Sequence, residues 1–214
     1  MTFSIAVRTV PQRKELFDKL HKDLLRIEQH PSIKGIHISS SLAVTPNENG
    51  CLALEAALTD KTDWVIFLED DAGLITDFIG SVERWINDHM IPDIHIYPLG
   101  CQYAESWPSL EATMWVYPIK KFYCSVALVI RASKVLSLIQ YLRDNAHVKQ
   151  GFDLMSGHWH KTISISEDLV TPIPCFVDHL GDDSTLIDGR EGRDIVGHFR
   201  GFRGYDYSYR GLDG

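Results

Sequence analysis

The sequence predicts an α/β protein: a single domain built on a parallel sheet flanked by helices. Three observations predict it. Phe3–Val7, the helix-periodic Glu15–Glu28 and the alternating Lys34–Ser39 make a β-loop-α-β opening, the start of a parallel sheet. Val65, Ile66, Phe67 and Leu68 form a continuous apolar run that switches at once to Glu69, Asp70 and Asp71. Such a run reads as a strand buried on both faces. Finally, 214 residues of which 44% are hydrophobic suffice for one sizeable core.

The elements follow in order. After the first strand, Arg8 to Arg13 is a loop, with Pro11 near the start of a helix. That helix carries Leu16, Phe17, Leu20, Leu24, Leu25 and Ile27 at helical spacing and ends at His30-Pro31. Ser39–Gly50, with Pro46, Asn47, Asn49 and Gly50, reads as a loop, and Cys51–Leu58 as a helix that starts after it. Thr59–Asp63 turns into the central strand, and Ala72-Gly73 turns out of it. Asp77–Asn87 presents Phe78, Ile79, Val82, Trp85 and Ile86 on one helical face. Strands are predicted at Ile94–Leu99, Met114–Pro118 and Phe122–Ile130, with Gly100–Thr113 irregular between them. A helix spans Ala132–Asn145, and Gly151–Trp159 opens a shorter one. Ile163–Ser166 reads as a short strand, and Val170–Val177 as an edge or irregular strand because of Pro172 and Pro174. Residues 1–185 thus form the domain, and 186–214 a Gly, Arg and aromatic tail.

Net charge is -8, which excludes a general polyanion binder. The four cysteines, Cys51, Cys101, Cys124 and Cys175, form no C-x-x-C, so buried free thiols in a reducing cytosol are expected. Met1–Arg8 has no signal-peptide pattern, and no apolar run approaches the roughly 18 residues of a membrane span. A soluble, cytoplasmic protein is expected.

Four constellations carry chemistry. Glu69-Asp70-Asp71 would stand at the carboxyl end of a buried strand, where open α/β sheets bind ligands. Three adjacent acids repel one another, and a divalent cation on oxygen ligands is the simplest relief; a solvated strand end is the bland alternative. Asp178-His179 closes the Pro-flanked strand, and His179 is a candidate ligand beside Asp71. Asp153 follows Gly151-Phe152 near a helix start, as an N-cap or as a general base raised by burial. The tail Gly197–Gly211 interleaves Arg, Gly and aromatic residues. It suits a lid whose Arg200 and Arg203 reach a phosphate, or a surface that stacks on bases.

The T-V-P-Q-R loop, F-L-E-D-D-A, Y-C-S-V-A-L-V-I-R-A-S-K-V-L, F-D-L-M-S-G-H-W and P-C-F-V-D-H-L-G-D-D-S occur in a characteristic order. In that order, over roughly residues 3–185, the chain resembles nucleotide-sugar glycosyltransferases of the GT-A fold, in particular the lipopolysaccharide and collagen galactosyltransferase-like family. It departs from that family at Ala53-Leu54-Glu55, where a Ser-His pair often follows the Gly-Cys. The resemblance implies a GT-A-type (Rossmann-like) mixed, mostly parallel sheet. It implies Asp71 and His179 as metal ligands, Glu69 and Asp70 beside the donor ribose and cation, and Asp153 as the base of an inverting enzyme. Arg8, Thr9 and Arg13 would lie against the nucleotide. Mn²⁺ or Mg²⁺ is the implied cofactor, with Mn²⁺ favoured if His179 coordinates.

The expected function is therefore transfer of a hexose from a nucleotide-diphosphate sugar, a UDP-sugar first, to an acceptor hydroxyl. The acceptor is a glycan or, second, a hydroxymethylated base in phage-type DNA. Two rivals stand. A nucleotidyltransferase ranks lower because its loop after the first strand is usually Gly-rich, whereas this one is R-T-V-P-Q-R. A catalytically inert GT-A-like binding module is the other.

Overall fold

A computed structural model describes residues 1–41, 43–100, 114–118, 126–148, 150–166, 168–172 and 175–180, without the side chains of residues 115, 117, 178 and 179. Its strands are β1 (Phe3–Thr9), β2 (Ile33–Ser40), β3 (Trp64–Glu69), β4 (Ala72–Leu74), β5 (Ile96–Pro98), β6 (Met114–Pro118), β7 (Ala127–Arg131), β8 (Asp168–Pro172) and β9 (Val177–His179). Its helices are α1 (Lys14–Ile27), α2 (Pro46–Ala57), α3 (Phe78–His89), α4 (Ala132–Asp144) and α5 (Phe152–Ile163). Short 3-10 turns at Pro11–Arg13 and Leu58–Asp60 precede α1 and follow α2.

The central sheet runs β2-β1-β3-β7-β5. β1 is parallel to both β2 and β3, while β7 is antiparallel to β3 and to β5. Only β7 opposes the common direction, so the sheet is mixed and mostly parallel, as expected. Two antiparallel ribbons, β4-β9 and β6-β8, complete the fold.

The strand period of two explains the layers. Trp64, Ile66 and Leu68 of β3 enter one core with Phe3, Ile5 and Val7 of β1, closed by Leu20 and Leu24 of α1 and Val82 and Trp85 of α3. Val65 and Phe67 enter a second core with Leu54 of α2, Leu138 of α4, and Phe152 and Trp159 of α5. Burying each large apolar side chain contributes about 1.5–3 kcal/mol, so a strand filling two cores is the best-anchored element available. The residues just past its end inherit that rigidity.

Several expectations are corrected. Helix α2 begins at Pro46, not after Gly50. Thr45 caps it by accepting a hydrogen bond from the Glu48 N–H, and proline suits the first helical position. Gly50 lies inside the helix, at a position where a side chain has no room: a Cβ would stand 2.6 Å from the Phe152 ring. Ala72-Gly73 is a strand rather than a turn, since its backbone pairs with β9. Ile163 ends α5, and no strand forms over 163–166. The Pro-flanked stretch divides into β8 and β9, paired to different partners. Cys51 and Cys175 are buried, and burial pushes the Cys51 thiol up to about 12. Cys101 and Cys124 lie outside the described residues, as does the tail 186–214. No described helix is long and apolar enough to cross a membrane.

His160 makes this fold acid-sensitive. It is fully buried on α5, its ring stands 6.0 Å from that of His95, and its ring nitrogens make no well-formed hydrogen bond among the described residues, with only the Asp168 backbone close enough to favour the charged ring. Burial first, and His95 second, push its pKa down from 6.5 to about 4. Between those values the unfolded chain binds the proton and the folded one does not. The contribution of His160 to stability is therefore full above pH 6.5 and falls as pH drops towards 4, by up to about 1.4 kcal/mol per pH unit. Chemical denaturation across pH 4–7 should show His160→Phe gaining stability relative to the wild type as pH falls; a difference between the two that does not change with pH would contradict it.

Candidate active site

Because β1 and β3 are parallel and in register, Arg8 lies directly opposite Glu69 at their carboxyl ends. Arg8 Nη2 meets Glu69 Oε1 at 2.5 Å. Below this pair Phe67 and Phe152 stack with centroids 4.1 Å apart, and the Arg8 guanidinium stands 5.9 and 5.8 Å from the two rings. A charged pair beside an aromatic floor is poorly solvated. Burial is the main reason that the Glu69 carboxyl is pushed up to about 7; Arg8 opposes this, while Asp71 and Asp153 add repulsion.

Asp70 and Asp71 turn to the other side, towards the 3-10 turn at Pro11–Arg13. Arg13 spans them: Nη1 is 2.7 Å from Asp70 Oδ1, and Nη2 is 2.6 Å from Asp71 Oδ2. The second oxygen of Asp70 accepts hydrogen bonds from Thr9 Oγ1 (3.0 Å) and from the Val10 N–H (3.1 Å). Both carboxylates are almost fully buried. Burial also raises the Asp70 carboxyl above its ordinary value, against Arg13. The positive charge that relieves the acid triplet is thus supplied, in this state, by two arginines of the chain itself.

The structure brings together Arg8, Thr9, Arg13, Glu69, Asp70 and Asp71. Asp153 joins them as the second residue of α5, half-buried and close enough to raise Glu69. It is not the N-cap; Gly151 holds that position. A Cβ at Gly151 would stand 2.6 Å from Asp153 Oδ1, so the carboxylate folds back over the helix start. The backbone of His179 pairs with Ala72, and the Leu180 N–H donates to the Asp71 carbonyl at 2.8 Å. The position of His179 in the chain is therefore beside Asp71; its side chain, like Arg200 and Arg203, lies outside the described residues.

Asn49 was not singled out in the sequence. It is fully buried near the start of α2, donates from Nδ2 to the Thr9 carbonyl at 2.8 Å, and accepts from Ser39 Oγ. It ties the ends of β1 and β2 to the helix. Asn49 stood in a stretch that read as a loop; the Thr45-Pro46 cap was the signal that placed it in a helix. On the outer side, Arg143 of α4 grips Glu48 and Glu55 of α2. This exposed pair network orients α2 more than it stabilises it.

Asp70 and Asp71 offer buried carboxylate oxygens, the hard donors that Mg²⁺ and Mn²⁺ take. Glu69 stays raised despite its ion pair, mainly because burial penalises its charged form. The donor chemistry fits an oxygen-seeking dication. In the arrangement observed, no three His, Cys, Asp or Glu side chains among the described residues converge on a common point, and Arg13 bridges the two aspartates.

No protein-family model and no curated protein sequence matches the chain. Solved structures do. A glycosyltransferase involved in glycosylation of the major capsid of PBCV-1 aligns at TM-score 0.59 and 10% identity, over 95% of this chain and 99% of that one. Residues 1–349 of TarS from S. aureus align at TM-score 0.51 and 11% identity, over 80% of this chain. The alignment spans 60% of that TarS chain. At such identities the likeness is one of fold, and the fold is that of GT-A-like glycosyltransferases.

Removing Arg8 alone tests the electrostatics of the site. Arg8→Met should destabilise the protein by about 3 kcal/mol, because it leaves a buried carboxylate unpaired. The cost should be largest at alkaline pH and shrink as pH falls towards 7, because Glu69 is raised to about 7 even with Arg8 lowering it and takes up its proton at higher pH once Arg8 is gone. Arg8→Met with Glu69→Gln should recover most of it. Denaturant unfolding of the three proteins checks this, and a single variant as stable as wild type would contradict it.

Proposed function

We propose that the protein is a metal-dependent hexosyltransferase that uses a nucleotide-diphosphate sugar, with a UDP-sugar first in line, and a carbohydrate hydroxyl as acceptor. The single observation that supports this most is the acid triplet at the carboxyl edge of β3, gripped by Arg8 and Arg13, in a fold shared with glycosyltransferases.

The geometry supports the following roles. Asp70, fixed by Thr9 and Val10, would hold the donor beside β1, and Asp71 faces the Pro11–Arg13 turn through Arg13. Bound Mn²⁺ or Mg²⁺ would be held by Asp71 and His179 and would supply Lewis-acid neutralisation of the departing diphosphate. Asp153, at the start of α5, takes the proton of the acceptor hydroxyl. The acceptor oxygen then forms its bond to the anomeric carbon as the bond from that carbon to the diphosphate oxygen breaks. A single displacement of this kind inverts the anomeric centre. The Phe67–Phe152 stack keeps water from beneath the charged groups, which strengthens every ionic contact in the site.

Asp153→Asn separates chemistry from binding. The variant should bind UDP as the wild type does and lose transfer from UDP-glucose or UDP-galactose by about 10²- to 10⁴-fold, the range for removing a general base. Release of UDP, followed with a panel of sugar acceptors and with water alone, is the readout. Unchanged turnover would assign the base to another group. A wild type inert with every donor and acceptor would favour a binding module.

A further inference from the structure

β1 ends at Thr9, and the peptide group that joins Thr9 to Val10 is the first beyond the strand. Both of its polar ends meet side chains. Its oxygen, the Thr9 carbonyl, accepts from Asn49 Nδ2 at 2.8 Å. Its N–H, that of Val10, donates to Asp70 Oδ2 at 3.1 Å. The Thr9 hydroxyl donates to the same carboxylate oxygen at 3.0 Å. Asn49 is fully buried on α2, and its Oδ1 accepts from Ser39 Oγ, which leaves Nδ2 for Thr9. The next residue, Gly50, lets the Phe152 ring close on α2 at a distance that a Cβ would not allow. Asn49 is thus a fixed point for the end of β1.

A trans peptide is planar, and its C=O and N–H point in opposite directions. Holding the oxygen therefore aims the hydrogen. We infer that Asn49 is a positioning residue of the donor site: by holding the Thr9 carbonyl it aims the Val10 N–H at Asp70. This rests on the reading that Asp70 holds the donor. Without Asn49 the Thr9 carbonyl loses its buried amide donor, and the cost of leaving it unpaired turns the peptide towards another partner. The Val10 N–H then leaves Asp70, and the carboxylate loses one of the two bonds that fix its second oxygen to the end of β1. The two bonds also polarise one another through the peptide, so each is stronger for the presence of the other. A residue of α2 that touches no carboxylate in the described contacts thus sets where a carboxylate at the end of β3 stands. The link runs through one rigid plane, which separates it from a general tightening of the helix against the sheet.

The test follows the Val10 amide by proton–nitrogen NMR, and UDP binding in the presence of Mn²⁺, in wild type, Asn49→Leu, Asn49→Ser, Asp70→Asn and Thr45→Ala. Asn49→Leu keeps the volume and removes the donor; Asn49→Ser serves if the leucine variant does not fold. In either variant the Val10 proton should move upfield, as it does in Asp70→Asn, and exchange with solvent about tenfold faster. Combining Asn49→Leu or Asn49→Ser with Asp70→Asn should move it little further. UDP should bind the Asn49 variants about tenfold more weakly than the wild type, the scale of a lost hydrogen bond to a charged group. Thr45→Ala removes the cap of the same helix and should leave the Val10 proton in place. A Val10 signal unmoved in both Asn49 variants overturns the inference, as does an equal movement in Thr45→Ala. A moved signal with unchanged UDP affinity overturns the positioning role. UDP that binds none of the proteins, with the Val10 signal moved in the Asn49 variants alone, would overturn the donor reading and leave the hold on Asp70 standing.

Discussion

Three carboxylates in succession at the end of a buried strand are the constraint on which the rest of this structure depends. Glu69, Asp70 and Asp71 cannot all be ionised and buried without positive charge beside them, because desolvation and mutual repulsion act in the same direction. The fold answers with two arginines from one edge of β1: Arg8 from the strand itself and Arg13 from the turn that follows it. Strand alternation puts Glu69 on the face shared with Phe67, where it meets Arg8. The strand ends at Glu69, and beyond it Asp70 and Asp71 both meet Arg13.

Everything around this cluster serves to keep it in place. β3 is held by apolar cores on both faces, so its carboxyl end is rigid. Asn49 locks the ends of β1 and β2 to α2, and the close approach of Phe152 to Gly50 locks α5 against the same helix. Asp153 is carried into the cluster by that packing. The charges are concentrated at one edge of the sheet, on β1, the end of β3 and the short turn that carries Arg13.

Much of this was legible in the sequence, for physical reasons. The apolar run ahead of Glu69 could only be a central strand, and the β-loop-α-β opening set its neighbours. The acid triplet therefore fell at the carboxyl edge of the sheet before any coordinate was known. What escaped was partly local and mostly tertiary. The start of α2 was hidden because Pro46, Asn47 and Gly50 are loop formers in isolation; the local Thr45-Pro46 cap starts the helix there, and the ring of Phe152 fills the space beside Gly50. The Ala72–Leu74 strand exists only through pairing with a segment over 100 residues away. The cation that relieves the acids was sought outside the chain, while Arg13, known only as a loop residue facing a nucleotide, supplies it from within. Sequence spacing carries no signal for a contact made by a long side chain across 57 positions.

Calorimetric titration of UDP into the purified protein, with Mn²⁺ and with EDTA, beside GDP and CDP, tests the central claim most directly. The account predicts that UDP binds tightly only when Mn²⁺ is present, with GDP and CDP weaker. Absence of binding by every nucleotide under both conditions would contradict it, and the acid triplet with its two arginines would then be a structural ion-pair cluster rather than a donor site.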